Sequence, residues 1–263
     1  MRAFLLVFLL APLAAGHRDL HKQIVDISIQ IESAPNNPQL WLTRASLHQS
    51  HQDFKAARLD LLEATRITPK HPPAFLKLAQ FDRKRGHPPM ARKALNTYFT
   101  LAPSPDPLAY REKALLSPPN DTIEHWRLFL SSSSPSTMLD YVLAAQASLD
   151  ATHLDAAADF LRSGLLRHPK SIQLHQLRAR ASLINLDTGS AIQAFTTLKL
   201  LYPNLRVKLS YEESLIWADY KKEDNSRRAL RAALDASQKL APRFKENRDM
   251  QSLVIEIKKA LQQ

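Results

Sequence analysis

Two consecutive 34-residue segments decide the fold of this chain: PQLWLTRASLHQSHQDFKAARLDLLEATRITPKH (38–71) and PPAFLKLAQFDRKRGHPPMARKALNTYFTLAPSP (72–105). Both segments hold alanine at their eighth and twentieth places, leucine at the twenty-fourth and proline at the thirty-second. Two later segments, which begin at Met138 and Ile172, repeat these landmarks with Phe195 in place of one leucine. The prolines, separated by 34, 66 and 34 residues, are Pro69, Pro103, Pro169 and Pro203. A shared period of this length predicts an array of structural repeats.

Each segment predicts a pair of antiparallel helices. Apolar residues recur at helical spacing over one run and then over a second, with polar breaks between the runs at residues 49–53 and 85–89. Asp53 and Asp187 are predicted to cap the second helices. The alanines allow the two helices to pack closely, and the proline ends the second helix because it lacks an N–H group. Since each pair leaves an apolar face uncovered, neighbouring pairs are expected to stack.

The segments resemble the tetratricopeptide repeat, whose pattern is an aromatic residue at place four, small residues at eight and twenty, an apolar residue at twenty-four, alanine at twenty-seven and proline at thirty-two. Place four holds Trp41, Phe75, Tyr141 and His175, and place twenty-seven holds Ala64, Tyr98, Gly164 and Leu198. The resemblance implies an all-α fold, a right-handed superhelical solenoid of antiparallel helix pairs. Because His175 departs from the aromatic pattern, looser packing is expected there.

The remaining residues are predicted to extend this array and to cap its ends. The 66-residue gap corresponds to two repeats, one of them shorter by two residues, and contains a serine-rich loop at residues 131–136. This region is either a degenerate repeat that keeps the array continuous, which we favour, or a hinge. Terminal helices are expected at residues 19–33 and 244–261. The predicted organisation is a signal peptide at 1–16, a capping helix at 17–37, two repeats at 38–105, a shortened repeat at 106–137, two repeats at 138–205, a divergent repeat at 206–242 and a capping helix at 243–263.

The first residues have the composition of a secretory signal. Met1 and Arg2 precede an apolar run at residues 3–13, which small residues follow up to Gly16. Cleavage is expected after Gly16 or, alternatively, after Ala15. A membrane anchor is disfavoured because a span needs about 20 apolar residues, and the absence of cysteine excludes disulfides and a lipid-anchored form. The mature chain is therefore expected to be exported, periplasmic or secreted, with no stable membrane span.

The charge of the chain favours acidic partners. Its 36 basic and 25 acidic residues give a net charge of +11, and a positive surface attracts anionic groups over long distances. Nucleic acid is disfavoured as a partner, because the chain is expected to be exported and shows no aromatic residues placed for base stacking. The tryptophans Trp41, Trp126 and Trp217 occupy apolar helix positions and are expected to lie in the core.

The sequence predicts neither an enzyme nor a cofactor or metal site. Phosphate-binding loops and dinucleotide fingerprints are excluded because no two of the four glycines are close enough together. The glycine–serine elbow of many hydrolases and the paired histidine motif of zinc proteases are absent. His17 and His21 lie one helical turn apart and could chelate copper at a free amino terminus, but a solvent-exposed start is favoured. No catalytic residue is therefore assigned.

The family resemblance implies a binding groove lined by the first helix of each pair, at places 2, 5, 6, 9, 12 and 13. The candidate residues are Gln39, Leu42 and Ser46 in the first repeat, Lys77, Gln80, Arg83 and Lys84 in the second, Gln146 in the third, and Gln176 and Arg180 in the fourth. Family members that bind the C-terminal carboxylate of chaperones use lysine at place five and asparagine at place nine. Here Leu42 and Ser46, then Leu76 and Gln80, occupy these places, so that partner is not implied.

The sequence leads to one functional hypothesis and one alternative. The first is an exported scaffold that binds a protein or peptide, with acidic groups, in its concave groove and contributes to an assembly in a cell envelope. The alternative is a basic-surface binder of an anionic polymer or membrane surface, such as an acidic glycan or phospholipid.

Overall fold

A computed structural model describes residues 11–262 of the chain, with side chains from residue 19 onward. The apolar run that carries most of the predicted signal peptide, at residues 3–10, lies outside the described residues, as does the side chain of His17. Over the described residues the secondary structure is helical and contains no strand, which confirms the all-α prediction.

The N-terminal half of the chain, which ends at Pro118, contains six helices among the described residues. They are α1 (Ala11–Ser33), α2 (Pro38–Ser50), α3 (Phe54–Ile67), α4 (Pro72–Lys84), α5 (Pro88–Leu101) and α6 (Pro107–Leu116). Helices α2 and α3 pack as one hairpin and α4 and α5 as the next, while α1 packs on α2, α3 on α4, and α6 on both α4 and α5. This half is therefore a stack of hairpins in chain order.

The C-terminal half begins at Pro119 and repeats the same arrangement. Its helices are α7 (Pro119–Leu130), α8 (Met138–Asp150), α9 (Leu154–Arg167), α10 (Ile172–Ile184), α11 (Thr188–Leu201), α12 (Arg206–Asp219), α13 (Glu223–Gln238), α14 (Pro242–Lys245) and α15 (Arg248–Ala260), with a 3₁₀ turn at Pro203–Leu205. The hairpins α8–α9, α10–α11 and α12–α13 pack successively, and α15 covers α13.

The buried alanines explain why the two helices of each hairpin approach closely. At places eight and twenty of all four repeats, the alanine side chains are 0% exposed. They are Ala45, Ala57, Ala79, Ala91, Ala145, Ala157, Ala179 and Ala191. The larger residues at place twenty-four are buried beside them, as dense interior packing requires.

One turn conformation joins the helices of all five hairpins. A single residue with positive φ lies in each turn, at Gln52 (64°), Gly86 (76°), Thr152 (60°), Leu186 (59°) and Lys221 (54°). The next residue donates its N–H to a carbonyl five residues back, as His87 does to Asp82 at 2.8 Å. This is the hydrogen-bond pattern of a Schellman C-cap. Only one of the five turns uses glycine, the residue that adopts positive φ without steric cost.

The predicted N-caps are confirmed. Asp53 Oδ1 accepts from Ala56 N at 3.0 Å, and Asp187 Oδ1 accepts from Ser190 N at 2.9 Å. These carboxylates satisfy backbone donors that the first turn of a helix leaves without partners. The hydrogen bonds from Ser190 lower the pKa of Asp187, so this cap stays ionised at neutral pH.

His175, at place four of the fourth repeat, is buried. Its Nε2 atom lies 3.0 Å from Pro169 O. Trp41, at the same place of the first repeat, donates Nε1–H to Pro35 O at 2.8 Å. The histidine ring therefore makes a contact like that of the Trp41 indole, while its Nδ1 is buried without a hydrogen-bond partner among the described residues. Looser packing at this place stays a prediction. Burial is the main cause that lowers the pKa of His175.

The helix bounds differ from prediction at the two ends. Over the described residues, helix α1 already includes residues 11–18, so it is longer than the helix predicted at residues 19–33. The C-terminal cap is two helices rather than one, since Asn247 has an extended backbone and accepts from Met250 N at 3.1 Å. An asparagine cap of this kind starts a new helix.

Candidate functional site

The predicted groove residues divide into exposed, half-buried and buried side chains. The exposed ones are Gln39, Ser46, Lys77, Lys84 and Arg180, and the half-buried ones are Gln80, Arg83, Gln146 and Gln176. Leu42 is only 3% exposed and belongs to the core of the N-terminal half. Leu76, at the same place in the next repeat, is buried too, so place five faces the interior in both repeats.

Helix α4 carries the most basic of these surfaces. Lys77, Gln80 and Lys84 are spaced three and four residues apart, which places them along one face of the helix. Neither lysine forms an ion pair with any residue between 19 and 262. Two uncompensated ammonium groups on one exposed face attract carboxylates or phosphates.

Arg83, on the same helix, is engaged by a buried carboxylate. Its Nε and Nη2 donate to the two carboxylate oxygens of Glu112, the second at 3.2 Å. The Glu112 side chain is almost fully buried on α6. This bidentate pair joins α4 to α6. The carboxylate of Glu112 therefore compensates most of the charge of Arg83.

Gln176 and Gln146 also have partners within the chain. Gln176 Nε2 donates to Glu212 Oε2 at 2.8 Å and thereby connects α10 to α12. Gln146 Nε2 donates to Asp150 Oδ1 at 2.7 Å on its own helix. On α10, Arg180 is exposed and forms no ion pair with a described residue, so no described carboxylate compensates its charge.

Two further arginine–carboxylate pairs, which the sequence analysis missed, hold the N-terminal half together. Arg44 Nε and Nη2 donate to the two Asp60 oxygens at 2.9 and 2.8 Å, within the first hairpin. Arg58 Nε and Nη2 donate to those of Asp82 at 2.7 and 3.3 Å, between the first and second hairpins. A signal was present in the sequence, because Asp60 and Asp82 lie at core-facing helical positions where an unpaired acid is costly.

No three histidine or acidic side chains of residues 19–262 converge as metal ligands would. Separately, none of the helices between residues 11 and 262 combines the length and the hydropathy that a bilayer crossing demands.

Solved structures provide the similarities to known proteins. The C-terminal part of a TPR repeat-containing protein from Cytophaga hutchinsonii has a TM-score of 0.62 and 12% identity, covering 90% of this chain and 95% of that chain. Acl4, the assembly chaperone of RpL4, has a TM-score of 0.61 and 13% identity, covering 86% and 97%. PilW, a type IV pilus biogenesis factor, has a TM-score of 0.57 and 15% identity, covering 82% and 98%. No model of a protein family and no curated protein matches the sequence.

Proposed function

Since this chain has the fold of the tetratricopeptide-repeat proteins, we propose that it is a non-catalytic scaffold that binds a protein or peptide partner on the first helices of its hairpins. The observation that carries this proposal is the exposed face of α4, where Lys77 and Lys84 lack ion pairs with the described residues. By contrast, Arg83 on the same helix and Arg44 and Arg58 on α2 and α3 are all bound to carboxylates of the chain.

The chemistry of this face supports a partner that carries acidic groups. Lys77 and Lys84 favour acidic side chains, and Gln80 between them offers hydrogen bonds to a peptide backbone or side chain. In the C-terminal half, Arg180 provides a further exposed cation on a first helix. We therefore propose an extended or helical peptide segment that carries acidic groups.

Export is part of the proposal and rests on the composition of residues 1–16. In this reading the mature scaffold acts in the periplasm or outside the cell and contributes to an assembly of the envelope. The likeness to PilW, a pilus biogenesis factor, is compatible with such a place but extends to the fold alone.

Charge reversal with a matched control tests the proposal. The tagged mature chain and the double variant K77E/K84E are used to capture partners from the native exported fraction, which are then identified and quantified. The control K70E/K93E removes the same charge from two other exposed lysines, on the loop before α4 and on α5. We expect K77E/K84E to lose the captured protein and the control to retain it. Equal loss from both variants would overturn binding at α4.

A second candidate is supported by the basic surface of the fifth hairpin. Five exposed cations lie in the turn between α12 and α13 and on α13, and none forms an ion pair with a described residue. They are Lys221, Lys222, Arg227, Arg228 and Arg231. Such a cluster favours an anionic polymer or phospholipid surface. The test measures binding to a sulfated glycan and to anionic vesicles as the salt concentration rises. Binding that weakens steeply with salt and is abolished by R227E/R228E would favour this candidate. No binding at low salt would exclude it.

A further inference from the structure

Arg178 on α10 is an arginine whose expected partner is missing. Its Nε atom is buried and makes no hydrogen bond, and no described residue forms an ion pair with the guanidinium. A buried donor without an acceptor costs free energy in a folded chain. The three arginines of the N-terminal half described above all have carboxylates in this role.

A comparison of the first and fourth repeats shows which partner of Arg178 is absent. Arg178 occupies place seven of the fourth repeat, and Arg44 occupies place seven of the first. Arg44 binds Asp60, which lies at place twenty-three. At place twenty-three of the fourth repeat the chain has Ala194, which is 0% exposed. The arginine is retained, but its carboxylate is not.

A pocket of about 480 Å³ lies beside this arginine, between α9 and α10. Two of its lining residues, Ala158 and Ser182, stand at places twenty-one and eleven of their repeats. In the N-terminal half the same places hold Arg58 and Asp82, whose side chains fill this space with an ion pair. The pocket therefore exists because two short side chains have replaced a bulky pair. Its volume lies in the range of small-ligand sites.

The pocket wall combines an apolar surface with two arginines, of which Arg162 is paired with Asp159 and Arg178 has no ion pair with a described residue. Its apolar lining includes Leu154, Leu161 and Leu165 from α9, and its polar lining includes Arg178, Ser182 and Asn185 from α10 and its C-cap. Asp155 and Asp187 also line it, and their charges disfavour multiply charged anions such as phosphate. A singly charged carboxylate can bind the guanidinium with two hydrogen bonds, as Asp60 does at Arg44.

We propose that this pocket binds a carboxylate group attached to an apolar chain, with Arg178 as the residue that recognises the carboxylate. The site is separate from the groove surface, because its lining includes none of the predicted groove residues. Arg178 and Arg180 lie two residues apart on α10, so their side chains diverge by about 200° around the helix axis. Ligand binding in this pocket can therefore be tested separately from partner binding on the first helices.

Two sources can supply this chemistry, a polypeptide and a free aliphatic acid. The polypeptide probe is acetyl-Ala-Ala-Ala-Leu with a free C-terminal carboxylate, and the acid probe is 4-methylpentanoate. The C-terminal amide of the peptide and 4-methylpentanamide are the uncharged controls. Titrations of the mature chain, followed by NMR shifts of backbone amides in α9 and α10, measure binding of each probe.

The variants R178A and A194D decide whether Arg178 is the binding residue. We expect R178A to weaken the bound acid or peptide at least ten-fold, because a charge-assisted bidentate contact is lost. We expect A194D to block binding as well, since it supplies the carboxylate that place twenty-three holds in the first repeat. Binding by the peptide alone or by the acid alone identifies the source. Absence of binding by both, equal binding of the amides, or unchanged binding by R178A would overturn the proposal.

Thermal melting gives a second readout that needs no ligand. The aspartate introduced by A194D should be tolerated when Arg178 is present, because the two side chains can pair as Arg44 and Asp60 do. The double variant R178A/A194D should melt well below A194D, since it buries a carboxylate without a partner. If A194D lowers the melting temperature equally with and without Arg178, the guanidinium does not reach this place and the proposal fails.

Discussion

Arg58 on α3 forms an ion pair with Asp82 on α4, with Nε 2.7 Å from Oδ1, although the Asp82 side chain is only 1% exposed. The contact joins the first hairpin to the second across an otherwise apolar interface. Because the carboxylate has no access to water, its charge depends on the arginine for compensation. The stack is therefore held by buried ion pairs as well as by apolar packing.

Removal of the arginine should destabilise this interface more than removal of a surface arginine. R58A leaves the Asp82 charge buried without its partner, and we expect a loss of about 3 kcal/mol, at the lower end of the range for broken buried pairs because Arg58 is partly exposed. The control is R66A, whose pair with Glu63 is exposed and contributes little because water screens it. Urea unfolding of the two variants measures the difference. Similar losses would show that Asp82 is compensated by other groups.

The positive-φ turns offer a way to stabilise the chain. Thr152 is β-branched and holds a φ of 60°, so T152G should raise the free energy of unfolding by about 1 kcal/mol. In the reverse direction, G86A should lower it by about 1 kcal/mol through backbone strain alone, since an added Cβ at this glycine has no neighbour within 4 Å.

The matched control for the turn is the residue just before Thr152. Ala151 has a φ of −88°, a conformation that every residue adopts, so A151G should destabilise through added freedom of the unfolded chain. Thermal unfolding of T152G, G86A and A151G shows whether each substitution stabilises or destabilises the chain. A stabilising A151G or a destabilising T152G would contradict the explanation.

Gly164 departs from the alanine expected at place twenty-seven because Tyr141 lies too close. A Cβ added at Gly164 would approach the Tyr141 Cβ at 2.8 Å and Leu174 Cδ1 at 3.1 Å. G164A should therefore cost about 1–3 kcal/mol by overpacking, despite the better helix propensity of alanine. The control is G189A in α11, where the nearest atom is 3.5 Å away and no loss is expected. Chemical denaturation of both variants is the measurement, and a neutral G164A would refute the close approach.

Burial of His175 predicts a pH dependence of stability. Because burial lowers its pKa in the folded chain, the unfolded chain binds the proton more readily. Stability from this residue is complete above a pH of about 6.5, the ordinary histidine pKa, and is lost as the pH falls through the folded pKa. H175F places here the phenylalanine that the second repeat has at place four. It should remove the contribution of His175 to the change in the free energy of unfolding between pH 8 and pH 5. Parallel unfolding curves for both chains across this range would contradict it.

The sequence predicted the hairpins well because their landmarks act locally. Alanines at places eight and twenty and the proline at thirty-two constrain a single helix pair, and Asp53 and Asp187 cap helices three residues away. The C-terminal break at Asn247 was missed because the flanking residues all tolerate a helix. One asparagine with an extended backbone then decides where α15 begins.

The candidate site was harder to predict because it depends on contacts between distant residues. Arg83 and Glu112 are 29 residues apart, and their pairing follows from the way α6 packs on α4. Leu42 was placed in the groove by family pattern, yet its apolar side chain is buried in this repeat. Lys77 and Lys84 were found correctly as exposed groups because charge alone keeps them at the surface. Their binding role stays a prediction.

A hydrogen-exchange footprint of the scaffold bound to its captured partner tests the central claim most directly. We predict that the partner slows backbone exchange in the first helices, above all α4, and leaves the second helices α3 and α5 as in the free chain. Protection confined to second helices, or to the fifth hairpin alone, would contradict a binding surface built from the first helices.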